Sequence, residues 1–339
     1  MKNTMLIGAA AAFVMAGFVA GYILLGRKTE IKDEIEPEIV LCYGEVNTEG
    51  HIMIDSANFF ADRVKELTGG KVVVDIYPSG QLGDDTRCYR SMEMGALDLY
   101  RGNGASLVEC GNPMISVLAL PYIFRDREHF WTVCNSELGE EILDNIGECT
   151  GMIGLAYLDE GARNFFTTKK PVRKLEDMKG LKIRVQMTSM MEDTVDALGA
   201  EALPIAYVEL YTALESGIVD GAENPPVSYY YNKFYEAAPY YVKDGHTYTP
   251  GVILVSKLTW GNLKKEYQDA LLQAAKETQE YNRKAIDTAD RKAYAALERA
   301  GVTILEPEDP EEWGKAMGPV YEKYSAQYLD LIEEVRQMK

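Results

Sequence analysis

The sequence predicts an α/β protein of two domains, and three features carry that reading. Short alternating stretches follow one another with helix-patterned segments between them, the pattern of α/β layers with largely parallel sheets. The chain has 339 residues, long for a single hydrophobic core. Residues Lys264 to Ala300 contain neither proline nor glycine, and Ala, Glu, Lys, Gln and Leu dominate there, the composition of one long helix. At about 1.5 Å per residue that helix is roughly 55 Å long, more than a small domain is wide, so it is expected to lie across both.

The elements follow in order. Lys2 precedes an apolar run from Met5 to Leu25, followed by Arg27 and Lys28. The run is long enough to span a bilayer, and no small-x-small cleavage site is evident, so residues 1–28 are expected to be an export signal or an uncleaved membrane anchor. Residues 29–38, "TEIKDEIEPE", are a charged spacer. "IVLCYGE" then reads as a strand. Met53, Ala57, Phe60, Val64 and Leu67 follow helical spacing, ended by Gly69-Gly70. "KVVVDIY" is a strand closed by the turn Pro78-Ser79-Gly80. "DDTRCYRSMEMG" suits a helix with an acidic first turn, where Asp85 would sit. "ALDLY", "GMIGLAYL", "GLKIRV" and "AEALPI" continue the strands, with a helix from Met190 to Leu198. Gly301 ends the long helix, "VTILEP" returns as a strand, and the chain finishes as helices.

In "GLKIRV", Leu181, Ile183 and Val185 alternate with Lys182 and Arg184. Arg184 is therefore expected on the face with Lys182, away from Ile183. Alternation alone leaves two readings open, a solvated charge or a cation held in a cleft.

Charge and motifs narrow the function. The 53 acidic and 35 basic residues leave a formal net charge of −18, against a nucleic-acid partner. An anionic ligand must be captured by local positive charge. The five cysteines form no CxxC pair; Cys134 with Cys149 is a conceivable disulfide and most are expected to be small core residues. The three histidines, His51, His129 and His246, lack zinc-ligand spacing, so no metal is expected. "GNGASLVECG" lacks the features of a dinucleotide or phosphate loop, and there is no G-x-S-x-G elbow, so no cofactor or catalytic residue is assigned. Carboxylates are abundant and none is marked out. Polar residues at strand ends are the better signal, since α/β folds bind ligands there or between domains. Arg184 ends one strand, Asn224 precedes two prolines in "VDGAENPP", and Arg163 lies near a strand end in "EGARNFF".

"YPSGQLGDD" (Tyr77 to Asp85), "MKGLKIRV" (Met178 to Val185), "LPIAYVELYTALESGIVDGAENP" (Leu203 to Pro225) and "FYE" (Phe234 to Glu236) resemble the DctP-type solute-binding proteins of tripartite ATP-independent periplasmic (TRAP) transporters. The similarity runs from about Ile39 to about Tyr324. It implies a two-lobed periplasmic-binding-protein clamshell with crossing hinge strands, the long helix spanning both lobes and the ligand between them. Lobe I is expected to comprise 39–160 plus 250–289, and lobe II 161–249 plus 290–339.

The resemblance also implies roles. Arg184 matches the arginine that binds a ligand carboxylate, Asn224 its supporting asparagine, Arg163 the arginine of the "G-x-R" motif, and Tyr207 a pocket wall. Asp85 matches a residue that some members use on ligand hydroxyls. Arg101 and Asn103 fall where members vary with their ligand, and Arg101, as a second cation, suits a second acidic group. Which of Glu45, Asn47 and His51 reaches the ligand is open, and one of Tyr229, Tyr230 and Tyr231 is expected to contribute an aromatic. The implied function is an extracytoplasmic, non-enzymatic receptor that delivers a small organic acid to a TRAP permease. A ligand-sensing module and an exported hydrolase or lyase are the rival classes.

Overall fold

The computed structural model describes residues 36–339; the apolar run Met5–Leu25 lies outside the described residues. The first half of the chain runs β1 (Ile39–Gly44), α1 (Ile52–Leu67), β2 (Val72–Tyr77), α2 (Asp85–Glu93), β3 (Leu99–Asn103), α3 (Gly104–Val108), α4 (Ser116–Ala119), α5 (Arg127–Cys134), α6 (Glu137–Cys149) and β4 (Met152–Asp159). It continues with β5 (Asn164–Thr167), β6 (Lys182–Val185), α7 (Ser189–Ala197), β7 (Glu201–Pro204), α8 (Leu210–Glu215), β8 (Gly221–Asn224), α9 (Pro226–Tyr231), α10 (Phe234–Ala237) and β9 (Tyr240–Val242). β10 (Pro250–Ser256), α11 (Lys257–Asn262), α12 (Lys265–Arg299), β11 (Thr303–Leu305), α13 (Pro310–Ala316), α14 (Gly318–Ser325) and α15 (Leu329–Gln337) complete it.

The strands form two sheets, β2-β1-β3-β10-β4 in lobe I and β11-β9-β5-β8-β6-β7 in lobe II. Pairing is parallel for β1 with β2 and β3, for β6 with β7 and β8, and for β9 with β11. It is less uniformly parallel than the βα alternation predicts. β10 is antiparallel to β3 and β4, and β5 is antiparallel to β8 and β9. The reason is topological. β5 enters its sheet from lobe I, and β10 enters its sheet from lobe II. Both therefore begin at the boundary where β3, β4 and β8 end. Strand ends of both sheets meet there, and they carry the side chains of the site.

The chain crosses that boundary between β4 and β5, between β9 and β10, and along α12. At 35 residues α12 is about 52 Å long, close to the expected helix. Its first half packs Leu271, Ala274 and Ala275 with Phe60 and Val64 of α1 beneath the lobe I sheet. Its last turns place Leu297 in the lobe II cluster with Phe166 and Tyr241. Burying a side chain of that size contributes roughly 1.5–3 kcal/mol, so the helix is fixed to both lobes. The terminal helices return to the earlier chain. The Tyr321 hydroxyl donates to the Pro121 carbonyl at 2.9 Å, and His129 Nε2 bonds the Val335 carbonyl oxygen at 2.7 Å.

Cys134, buried at the end of α5, and Cys149, exposed at the end of α6, are separate free thiols, as are the other three cysteines. The disulfide considered from sequence is not formed. Among the described residues no helix is long and apolar enough to cross a membrane.

Candidate functional site

The lobe II wall starts from β6. Lys182 is exposed and Arg184, on the same face, is only 2% exposed, because the sheet face that meets solvent at one end runs into the cleft at the other. Arg184 Nε donates to the Ile205 carbonyl at 2.8 Å. Its Nη1 has no hydrogen-bond partner among the described residues. The Tyr207 ring centroid lies 5.7 Å from the guanidinium carbon, a cation–π contact. Burial pushes the Arg184 pKa down to about 10; the nearby Glu223 charge resists this and Arg163 adds to it.

β8 stops at Asn224 because Pro225 follows and Pro226 opens α9. The stop presents Asn224 to the cleft, 2% exposed, with its Nδ2 also unpartnered among the described residues. Arg163, in the β4–β5 crossing, grips both carboxylate oxygens of Glu223 and donates to the Glu223 carbonyl at 3.1 Å. Burial opposes ionisation of Glu223, yet Arg163 and His246 bring its pKa down to about 2. His246 Nδ1 bonds Asp244 Oδ2 at 2.7 Å, and the two carboxylates overcome burial to raise its pKa to about 9. Gln186, just beyond β6, adds an unpartnered buried acceptor, its Oε1. The lobe II wall thus offers two donors and one acceptor without partners.

The lobe I wall is the reverse. Arg101 of β3 uses all three guanidinium nitrogens on carboxylates. Nε and Nη2 donate to Glu45 at 2.9 and 2.7 Å, and Nη1 donates to Glu160 at 2.6 Å. Glu45 also accepts from the backbone and side-chain nitrogens of Asn47, each at 2.9 Å. Burial opposes the Glu45 charge, and Arg101 more than restores it; burial raises the Glu160 pKa against the pull of Arg101 and Arg163. Asn103 Oδ1 caps α3 at Ala105 while its Nδ2 donates to Glu160 at 3.1 Å. Asp85 accepts from the Tyr100 hydroxyl at 2.5 Å and from Ser106 at 2.7 Å. The helix cap on α2 is the neighbouring Asp84, which leaves the Asp85 carboxylate for the cleft. Among the described residues, no buried side-chain polar atom lining this wall lacks a partner.

Between the walls lies a cavity of about 310 Å³, in the size range of small-molecule sites. All seven residues singled out from sequence line it: Arg184, Asn224, Arg163, Tyr207, Asp85, Asn103 and Arg101. Of the three left open in the first loop, Asn47 lines the cavity and Glu45 stands behind Arg101. His51 caps α1 through Nδ1 and reaches Ser228 of lobe II through Nε2 at 3.0 Å. The tyrosine run does not line the cavity: Tyr229 is core, and Tyr231 stacks edge-on against His51. Arg101 is also no spare second cation, since Glu45 and Glu160 flank it. Sequence reasoning missed Glu160, Glu223 and Gln186. Glu223 sits inside "DGAENP" and Glu160 next to Gly161 at the crossing, but acidic residues are too common in this chain to stand out.

Comparison with known proteins places these features in a group. The family model described as "Bacterial extracellular solute-binding protein, family 7" (DctP) matches residues 43–327. The chain is 30% identical, over 91% of its length and 92% of the relative's, to the C4-dicarboxylate-binding periplasmic protein DctP of Rhodobacter capsulatus. Among solved structures, it resembles a TRAP periplasmic solute-binding protein of Bradyrhizobium sp. BTAi1 in complex with D-galacturonate. The identity is 34% and the TM-score 0.84, over 87% of this chain and 99% of that one. It also resembles one from Pseudomonas putida F1 with bound D-glucuronate, at 30% identity and TM-score 0.86, over 88% of this chain and 97% of that one.

Proposed function

We infer the ligand from one premise: the chain belongs to the DctP family, family 7 of the bacterial extracellular solute-binding proteins. It is accordingly a TRAP-type receptor for small carboxylates and not an enzyme. Arg184 and Asn224 form the carboxylate clamp. One observation carries this reading: Arg184 Nη1 and Asn224 Nδ2, both buried, are donors without acceptors on the same wall. A carboxylate is acceptor-only and offers two oxygens, the complement of two such donors. Leaving a buried donor unpaired costs about 1–3 kcal/mol, more for a charged group, and the ligand removes that cost when the lobes close on it. Arg163 holds the Glu223–Asn224 strand end in place, and Tyr207 stacks beside the clamped group.

The remainder of the cleft favours hydroxyls. Asp85, Glu160 and Gln186 are hydrogen-bond acceptors around the same cavity. A hydroxylated monocarboxylate, a sugar acid such as the uronates bound by the Bradyrhizobium and Pseudomonas relatives, satisfies both ends. The receptor then delivers its ligand to the membrane permease of a TRAP system. Mass spectrometry of the small molecule released from purified protein by denaturation tests the ligand class. A polyhydroxylated monocarboxylic acid is expected; a neutral sugar or a dicarboxylate overturns the reading.

A further inference from the structure

We propose that Glu160, backed by Glu45, is a charge filter that decides which carboxylates the receptor accepts. The inference rests on the carboxylate clamp at Arg184 and concerns the opposite end of the ligand.

An arginine placed to bind a second ligand carboxylate would turn a free guanidinium edge to the cavity. Arg101 is already committed: Nε and Nη2 donate side by side to Glu45 and Nη1 donates to Glu160, and the side chain is 4% exposed. Two carboxylates on one guanidinium leave an excess negative charge. The buried Glu45 lies behind Arg101, away from the cavity lining, whereas Glu160 belongs to that lining. Its Oε1 is engaged by Arg101 and its Oε2 by Asn103 at 3.1 Å, which fixes the carboxylate toward the ligand space. Asp85 adds a second carboxylate on the same side, oriented by Tyr100 and Ser106. Such a wall accepts hydrogen bonds from hydroxyls and opposes a second anionic group. Glu160, Arg101 and Glu45 are all buried, so the repulsion is weakly screened. The family position that carries Arg101 therefore does not make this receptor a dicarboxylate binder, because the glutamates cancel the arginine.

The test uses D-galacturonate and galactarate, titrated calorimetrically into the full-length protein; they share a carbon skeleton, but galactarate is open-chain and carries a second carboxylate where D-galacturonate closes its pyranose ring, so the charge is read from the change in their ratio when Glu160 is substituted. The wild type is expected to bind D-galacturonate at least about a hundredfold more tightly than galactarate. Glu160→Gln keeps the shape and removes one charge, and is expected to shrink that ratio by about tenfold or more. Glu160→Asp keeps the charge and is expected to preserve the ratio. Equal wild-type affinity for both acids overturns the filter while leaving the clamp intact. Equal weakening of both acids by Glu160→Gln also overturns it, because a purely structural role at the crossing acts that way. If D-galacturonate does not bind the wild type, the underlying reading of the ligand fails, and the filter with it.

Discussion

The two walls of the cleft use the same residue types to opposite ends. Lobe I surrounds one arginine with two glutamates and leaves its lining satisfied. Lobe II gives one arginine its glutamate and holds a second, Arg184, buried without a carboxylate. The first arrangement is complete without ligand and acts by shape and repulsion. The second is complete only when something negative arrives. A buried charge without a partner is costly, so the cleft concentrates that cost at the one place where a ligand repays it.

The largest effect that separates the walls is on stability. Glu223→Ala leaves Arg163 buried without its carboxylate and is expected to destabilise the protein by about 3–5 kcal/mol in urea unfolding. Glu160→Ala leaves Arg101 with both bonds to Glu45 and is expected to cost about 1–3 kcal/mol. Equal losses would break the contrast.

A smaller effect follows pH, and its alkaline limb comes from His246 of lobe II. The folded pKa of His246 is raised from its ordinary value to about 9 by Asp244 and Glu223 against burial. Its stabilisation is therefore fully present below about pH 6.5 and is lost as pH rises through 9. Glu223, held at about 2, contributes in the opposite sense, with stability present above about pH 4.5 and lost as pH falls toward 2. Urea midpoints across pH 6.5 to 9 should decline in the wild type and flatten in His246→Asn. An unchanged slope in the variant places the titration elsewhere.

The smallest effect tests closure. Gly80 has φ +66°, and a Cβ there would meet Val208 Cγ1, from the opposite lobe, at 2.7 Å. Gly80→Ala is expected to cost about 1–2 kcal/mol from the left-handed backbone alone. It should also weaken ligand binding, and adding Val208→Gly should restore the affinity while the stability loss stays. Affinity that does not recover in the double variant removes Val208 from the closing contact.

The sequence made the lobe II wall more legible than the lobe I wall, for a physical reason. Arg184 is marked by strand alternation, Asn224 by the prolines that stop its strand, and α12 by an unbroken helical composition; all are local signals. The Arg101 assembly is not local. Glu45 and Glu160 lie 56 and 59 residues from Arg101, just past the ends of β1 and β4, and only the sheet order brings them together. Arg101 read from its neighbours alone is a free cation, the reverse of its state in the fold. The antiparallel β5 and β10 were obscured in the same way, because direction depends on which lobe the chain arrives from.

The central claim is that Arg184 is held charged, with no carboxylate and with Nη1 unpartnered among the described residues, for a ligand carboxylate. Thermal unfolding of ligand-stripped Arg184→Met, with and without D-galacturonate, tests it most directly. Methionine fills similar space without burying a charge, so the unliganded variant should unfold no lower than the wild type. D-galacturonate should raise the wild-type midpoint and leave the variant unmoved. A variant that keeps the ligand-induced rise contradicts the account.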